Sequence, residues 1–167
     1  MNVYTQLRAQ KDELFEFDPH SPLTAEQKKS FSGLNYFSVN EDLRFEMEVE
    51  KFEDQRSIQM QTSTGDLRTF FRFGRIHFSV ENEPVSLTVY SNEHGFFIPF
   101  VDSQAGVDTY GAGRYLDPEL NEEGKLKVDF NSAYNPYCAY NEMYSCPIPP
   151  AENRLSVAIK AGEKNYK

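Results

Sequence analysis

The chain has 167 residues with 39% hydrophobic and 14% aromatic side chains, enough to fold as one globular domain burying about 70% of its unfolded surface. Its 26 acidic residues outnumber 17 basic ones, for a formal charge of -9. A surface of that sign repels phosphate backbones and anionic headgroups, so nucleic acid and membrane surfaces are not expected partners.

Residues 1–17 are charged throughout and lack the apolar core of a signal peptide, and no apolar run nears the ~18 residues that span a bilayer. A soluble cytoplasmic protein is therefore expected. Residues 3–17 place Val3, Leu7 and Leu14 on one stripe, widened by Tyr4 and Phe15, which predicts an amphipathic helix packed through that stripe. Asp18-Pro19 stops it, because a residue before proline disfavours helical geometry. Thr24 and Gln27 have capping-box spacing and open a short helix over residues 25–30.

The period then falls to two. Leu43, Phe45, Met47 and Val49 alternate with charged residues, and Ile58, Met60 and Thr62 alternate next. Thr64-Gly65-Asp66 has the chemistry of a hairpin turn. Strands follow over residues 67–73, 76–80 and 85–89, with a turn or bend expected at Gly74 and breaks at residues 82–84 and 92–95. Residues 96–101 are nearly all apolar, as in a strand covered on both faces, but Pro99 places it at an edge or a bulge. Leu126, Val128 and Phe130 make a late strand, and Leu155, Val157 and Ile159 a last one.

Connections this short require antiparallel pairing. The expected fold is mainly β: an antiparallel meander forming a barrel, or else a sandwich, with one or two N-terminal helices against it. The barrel is preferred because closure removes edges. With no repeat or linker, one domain is expected, residues 1–33 helical and residues 34–167 β-rich.

Two stretches break the alternation while keeping polar and aromatic groups: residues 102–117, DSQAGVDTYGAGRYLD, and residues 129–150, DFNSAYNPYCAYNEMYSCPIPP. Ordered irregular segments longer than about 12–15 residues are uncommon in compact domains and are often functional. The strings FIPFVDSQAG, TYGAGRYLD, VDFNSAYNPYCAYNEMYSCPIPPAENRL and AGEK, with DPHSPL near the start, resemble the bacterial and archaeal family called domain of unknown function 1684. The resemblance covers nearly the whole chain. It implies a shared fold and a shared polar site, and no established activity.

Within these stretches Arg114, between Tyr110 and Tyr115, has the fork to hold a carboxylate or phosphate; its other reading is an internal ion pair with Asp102 or Asp129. Gly111 and Gly113 match neither a Walker loop nor a dinucleotide fingerprint. Asp102 and Asp129 are the candidate acid–base residues, Glu163 lies close by in sequence terms, and the alternative for all such loop residues is turn capping. Cys138 and Cys146, spaced C-x7-C, are expected as buried thiols or a reversible bridge. Two cysteines with His20, His77 and His94 in separate segments do not make a zinc set, so neither a metal nor a cofactor is expected.

Three functional classes follow. The first is a β-barrel that binds a small polar or anionic molecule through Tyr110, Arg114, Tyr115, Asn131, Tyr134, Asn135 and Tyr140. The second is a hydrolase or lyase with Asp102 or Asp129 as base and Arg114 as electrostatic stabiliser; no known catalytic spacing supports it. The third is a structural module in which the same polar groups lock the long loop in place.

Overall fold

The computed structural model describes residues 2–166. Helix α1 spans Val3–Phe17, capped by the Asn2 side chain accepting from Thr5 N–H and ended where Asp18 N–H donates to Leu14 O. Its orientation differs from the expected one. Tyr4 and Phe15 face the body, whereas Val3, Leu7 and Leu14 are exposed, as is Phe17. The docking stripe is Tyr4-Arg8-Lys11-Phe15, and three of its four members reach polar partners: Asp129, the carbonyl of Phe37, and Glu163. Polar recognition thus overrides the apolar stripe. Helix α2, Ala25–Lys29, opens with the reciprocal Thr24–Gln27 capping box.

Among the described residues nine strands follow: β1 Arg44–Met47, β2 Glu50–Lys51, β3 Ser57–Gln61, β4 Leu67–Val80, β5 Glu83–Asn92, β6 Gly95–Phe100, β7 Arg114–Leu116, β8 Glu119–Leu120 and β9 Leu126–Asp129. Their pairings are antiparallel. They form two open sheets, β1-β9-β8 and β2-β4-β5-β6-β7 with β3 also on β4, and not a single closed meander. The pairing of Arg44 with Asp129 and Met47 with Leu126 takes β1 out of the meander and gives it to the end of the chain. Apolar faces of both sheets meet around Phe130, whose ring lies 5.4 Å from those of Phe78 and Phe100.

Residues 67–80 form one strand, and Gly74 marks no turn: it follows a bulge at Phe73, where the register with β5 shifts. A Cβ at Gly74 would lie 2.6 Å from the carbonyl of Glu50, so glycine is what lets β2 approach.

Pro99 is neither at the outer edge nor in a bulge. It pairs with Tyr115 on one side, and on the other the β5–β6 ladder ends at Tyr90–Phe97. Proline has no N–H to continue that ladder. The amide of the fully buried Asn153 fills the gap: Nδ2 donates to the carbonyls of Thr88 and Pro99, and Oδ1 accepts from Thr88 N–H.

The strand expected at Leu155, Val157 and Ile159 does not form. Residues 155–163 bend at residues 156–157 and 161–162, bury Val157, Ile159, Ala161 and Glu163, and make isolated backbone bonds, such as Leu155 N–H to Val101 O. Their remaining carbonyls find a side chain in place of a neighbouring strand.

Candidate functional site

That side chain is Arg114. It begins β7 after a turn in which Gly113 has φ +103°, where an added Cβ would meet the carbonyl of Phe100 at 2.5 Å. The guanidinium is buried, 1% exposed, and its Nη1 donates to the carbonyls of Ala161 (2.5 Å) and Glu163 (3.0 Å). Nη2 donates to Ile159 O at 2.9 Å and faces Asp102 Oδ2 at 3.5 Å. Asp102 in turn accepts the N–H of Ile159 at 2.6 Å, and its other oxygen takes the Thr109 hydroxyl. The ion pair therefore does for the tail what a neighbouring strand would do. Burial pulls the pKa of Arg114 down, against Asp102 and then Glu163, yet leaves it cationic at neutral pH.

The two irregular segments meet where Tyr115 and Tyr134 exchange backbone hydrogen bonds. Their polar side chains nevertheless divide into separate groups. Tyr115 is buried and donates to Pro147 O. Tyr140 donates to Glu163, which also pairs with Lys11 and accepts the N–H of Asn135; the Asn135 amide donates to Lys164 O. Asp129 accepts Tyr4 Oη at 2.5 Å and both the backbone and side-chain N–H groups of Asn131. Asn131 also exchanges bonds with the backbone of Asn40. Tyr134 donates to Asp117 at 2.5 Å, and Tyr110 lies 3.6 Å from the sulfur of Cys138. Asp102 and Asp129 thus sit in different networks.

A cavity of about 160 Å³ opens between α1 and the body. Asn131 and Tyr134 line it, together with residues the sequence reading passed over: Tyr4, Arg8, Lys11 and Tyr36. The Arg8 guanidinium stacks 4.3 Å above the ring of Tyr36 and uses Nη1 on the carbonyl of Phe37. Arg8 Nη2 and Tyr36 Oη are both buried and have no hydrogen-bond partner among the described residues. Burial first, then Glu163 and Asp12, raises the pKa of Tyr36, and burial with Asp129 pushes Tyr4 up to about 12. Both phenols are therefore protonated donors at neutral pH. The signal for this site was the spacing of residues 4, 8, 11 and 15, one helical face whose middle is cationic.

Residues 29–164 match the profile of a family described as protein of unknown function, DUF1684. The chain is also similar to an uncharacterized protein of Haloarcula marismortui, solved in solution by NMR. The two are 34% identical with a TM-score of 0.71, over 96% of this chain and 92% of that one. No curated protein shows significant similarity. No helix is long and apolar enough to cross a membrane.

Proposed function

The chain belongs to the DUF1684 family, and within that family's fold we propose that it binds a small organic anion in the cavity beneath α1, with Arg8 and Tyr36 as the recognising donors. The observation that carries this reading is that Arg8 and Tyr36, which both line the cavity, each keep a buried donor without a partner among the described residues. Leaving such groups unmet costs about 1–3 kcal/mol each, and a carboxylate supplies acceptors for both. Lys11 adds a second cation and Glu163 one carboxylate, so the lining carries a single excess positive charge. That favours a monoanion in a protein whose overall charge is -9.

Size sets a further limit. A cavity of ~150 Å³ admits a molecule of about benzene's bulk, so the fitting class is small aliphatic or aromatic carboxylates, not nucleotides. Leu7, Ala133 and the tyrosine rings offer apolar walls for the body of such an acid. Arg114 has no part in this recognition, because its N–H groups already serve the tail.

The test is a thermal-shift comparison of acetate, pyruvate and benzoate with the neutral benzamide, on the wild type and Arg8→Met. A ligand at 100 times its Kd stabilises by about 2.7 kcal/mol, which raises Tm by roughly 5–10 °C in a chain of this size. A carboxylate should give that shift, benzamide should not, and Arg8→Met should abolish it. Methionine keeps contact with the Tyr36 ring while removing every N–H. A carboxylate shift that survives in Arg8→Met, or none at all in the wild type, overturns the assignment.

A further inference from the structure

Cys138 and Cys146 come together at the base of the loop they bracket. The backbone N–H of Cys138 donates to Cys146 Sγ at 3.4 Å, and the Tyr110 hydroxyl lies 3.6 Å from Cys138 Sγ. Both are free thiols. Their settings are unequal. Cys138 lies in the wall of an open hollow of about 350 Å³, beside Tyr110 and Tyr140, whereas Cys146 is held from behind by Ser63. Its N–H donates to Ser63 Oγ at 3.1 Å, and its carbonyl accepts from Ser63 N–H at 2.9 Å. Both residues are 8% exposed; Cys138 is the one that lines the hollow, while Cys146 is tied to Ser63.

The donors around Cys138 favour its thiolate. The Cys146 thiol is the largest influence lowering its pKa; burial opposes it, and the Tyr110 and Ser63 hydroxyls add to the lowering. Cys146 moves the opposite way, because the sulfur it donates to holds the negative charge.

We propose that Cys138 is a nucleophile toward small hydroperoxides and that Cys146 is its resolving thiol. The Cys138 thiolate attacks the terminal oxygen of R–O–O–H. An S–O bond forms as O–O breaks, and the departing alkoxide or hydroxide takes a proton to leave as alcohol or water. Cys146, as thiolate, then attacks the Cys138 sulfenic acid. S–S forms, S–O breaks and water departs, so two thiols are oxidised for each hydroperoxide reduced. The hollow that Cys138 lines has room for a hydroperoxide next to that residue. The rings of Tyr137 and Tyr144, edge to face at 5.3 Å, hold the ends of the loop together for the second step.

The experiment treats the reduced chain with hydrogen peroxide, follows free thiols and maps disulfides by mass spectrometry. The wild type should lose two thiols per hydroperoxide, with an intramolecular Cys138–Cys146 bond as product. Its rate should exceed that of free cysteine by about tenfold or more at the same pH, as a low-pKa thiolate requires. Cys146→Ser should stop at a sulfenic acid on Cys138, trapped by dimedone, and Tyr110→Phe should slow the first step. Thiol loss no faster than free cysteine, or an oxidised wild type without the Cys138–Cys146 bond, overturns the proposal. Both results come from the unmodified chain, so they decide the matter even if a variant folds poorly.

Discussion

Replacing Arg114 with alanine is expected to destabilise the protein by about 3–5 kcal/mol, the range for breaking a buried ion pair from one side. The carbonyls of Ala161 and Glu163 lose the guanidinium donor, that of Ile159 keeps only the Ala161 N–H, and Asp102 is left as a buried carboxylate beside them. Stabilities of whole domains are only about 5–15 kcal/mol, so this variant stands near the threshold of folding. In urea titration its midpoint should fall steeply, and Tm should drop by on the order of 10 °C. Arg114→Lys should recover part of the loss. An ammonium can pair with Asp102, but it lacks the planar fork that spans three carbonyls in two directions. If Arg114→Ala unfolds at the wild-type midpoint, the guanidinium does not hold the tail.

The second large effect belongs to Gly162. Its φ is +78°, and a Cβ there would lie 2.7 Å from the carbonyls of both Phe130 and Ala133. An L-residue meets backbone on one side and left-handed strain on the other, so Gly162→Ala should cost roughly 3 kcal/mol or more. The damage should be local in the first instance, because the residue is flanked by Ala161 and Glu163, which Arg114 binds. Hydrogen exchange reads it directly. The amide of Glu163, bonded to Ala133 O, and that of Ile159, bonded to Asp102, should lose protection well before the amides of β4 and β5. Uniform protection in the variant would mean that the tail tolerates the displacement.

These two positions also show what the sequence makes legible and what it hides. Alternation is local, so Leu43-Phe45-Met47 and Ile76-Phe78-Val80 announce their buried faces without knowledge of any partner. The capping box at Thr24 is local as well. Pairing between β1 and β9 joins residues about eighty positions apart, and no periodicity encodes it. The same holds for residues 155–163. Leu155, Val157 and Ile159 alternate as a strand would, but Leu155 and Val157 bond singly to the backbone of Val101 and Ser103, and Ile159 is held by the side chains of Arg114 and Asp102.

The irregular segments contain the buried polar residues Asp102, Thr109, Arg114, Asn131 and Asn135. Their glycines and prolines signal departure from regular pairing, but not whether the polar side chains then face inward or outward. For Arg114 the internal ion pair with Asp102 is the arrangement found. The site on α1 stayed hidden for a different reason. A helix is usually oriented by its apolar stripe, and here Val3, Leu7 and Leu14 are exposed while Arg8 and Lys11 turn toward the body. A long cationic side chain can lie along an aromatic surface, as Arg8 does on Tyr36, so charge alone does not mark the solvent face.

Two arginines thus divide the roles that the sequence assigned to one. Arg114 completes the fold, and Arg8 lines the cavity and keeps a buried N–H group unmet among the described residues. The most direct measurement of that division is a backbone and arginine side-chain NMR titration of the 15N-labelled protein with benzoate. The expected perturbations cluster on residues 4–11, on Tyr36 and on residues 131–134, with the Arg8 guanidinium shifting and that of Arg114 unmoved. Perturbations centred on Arg114, or no saturable change around Arg8, would contradict it.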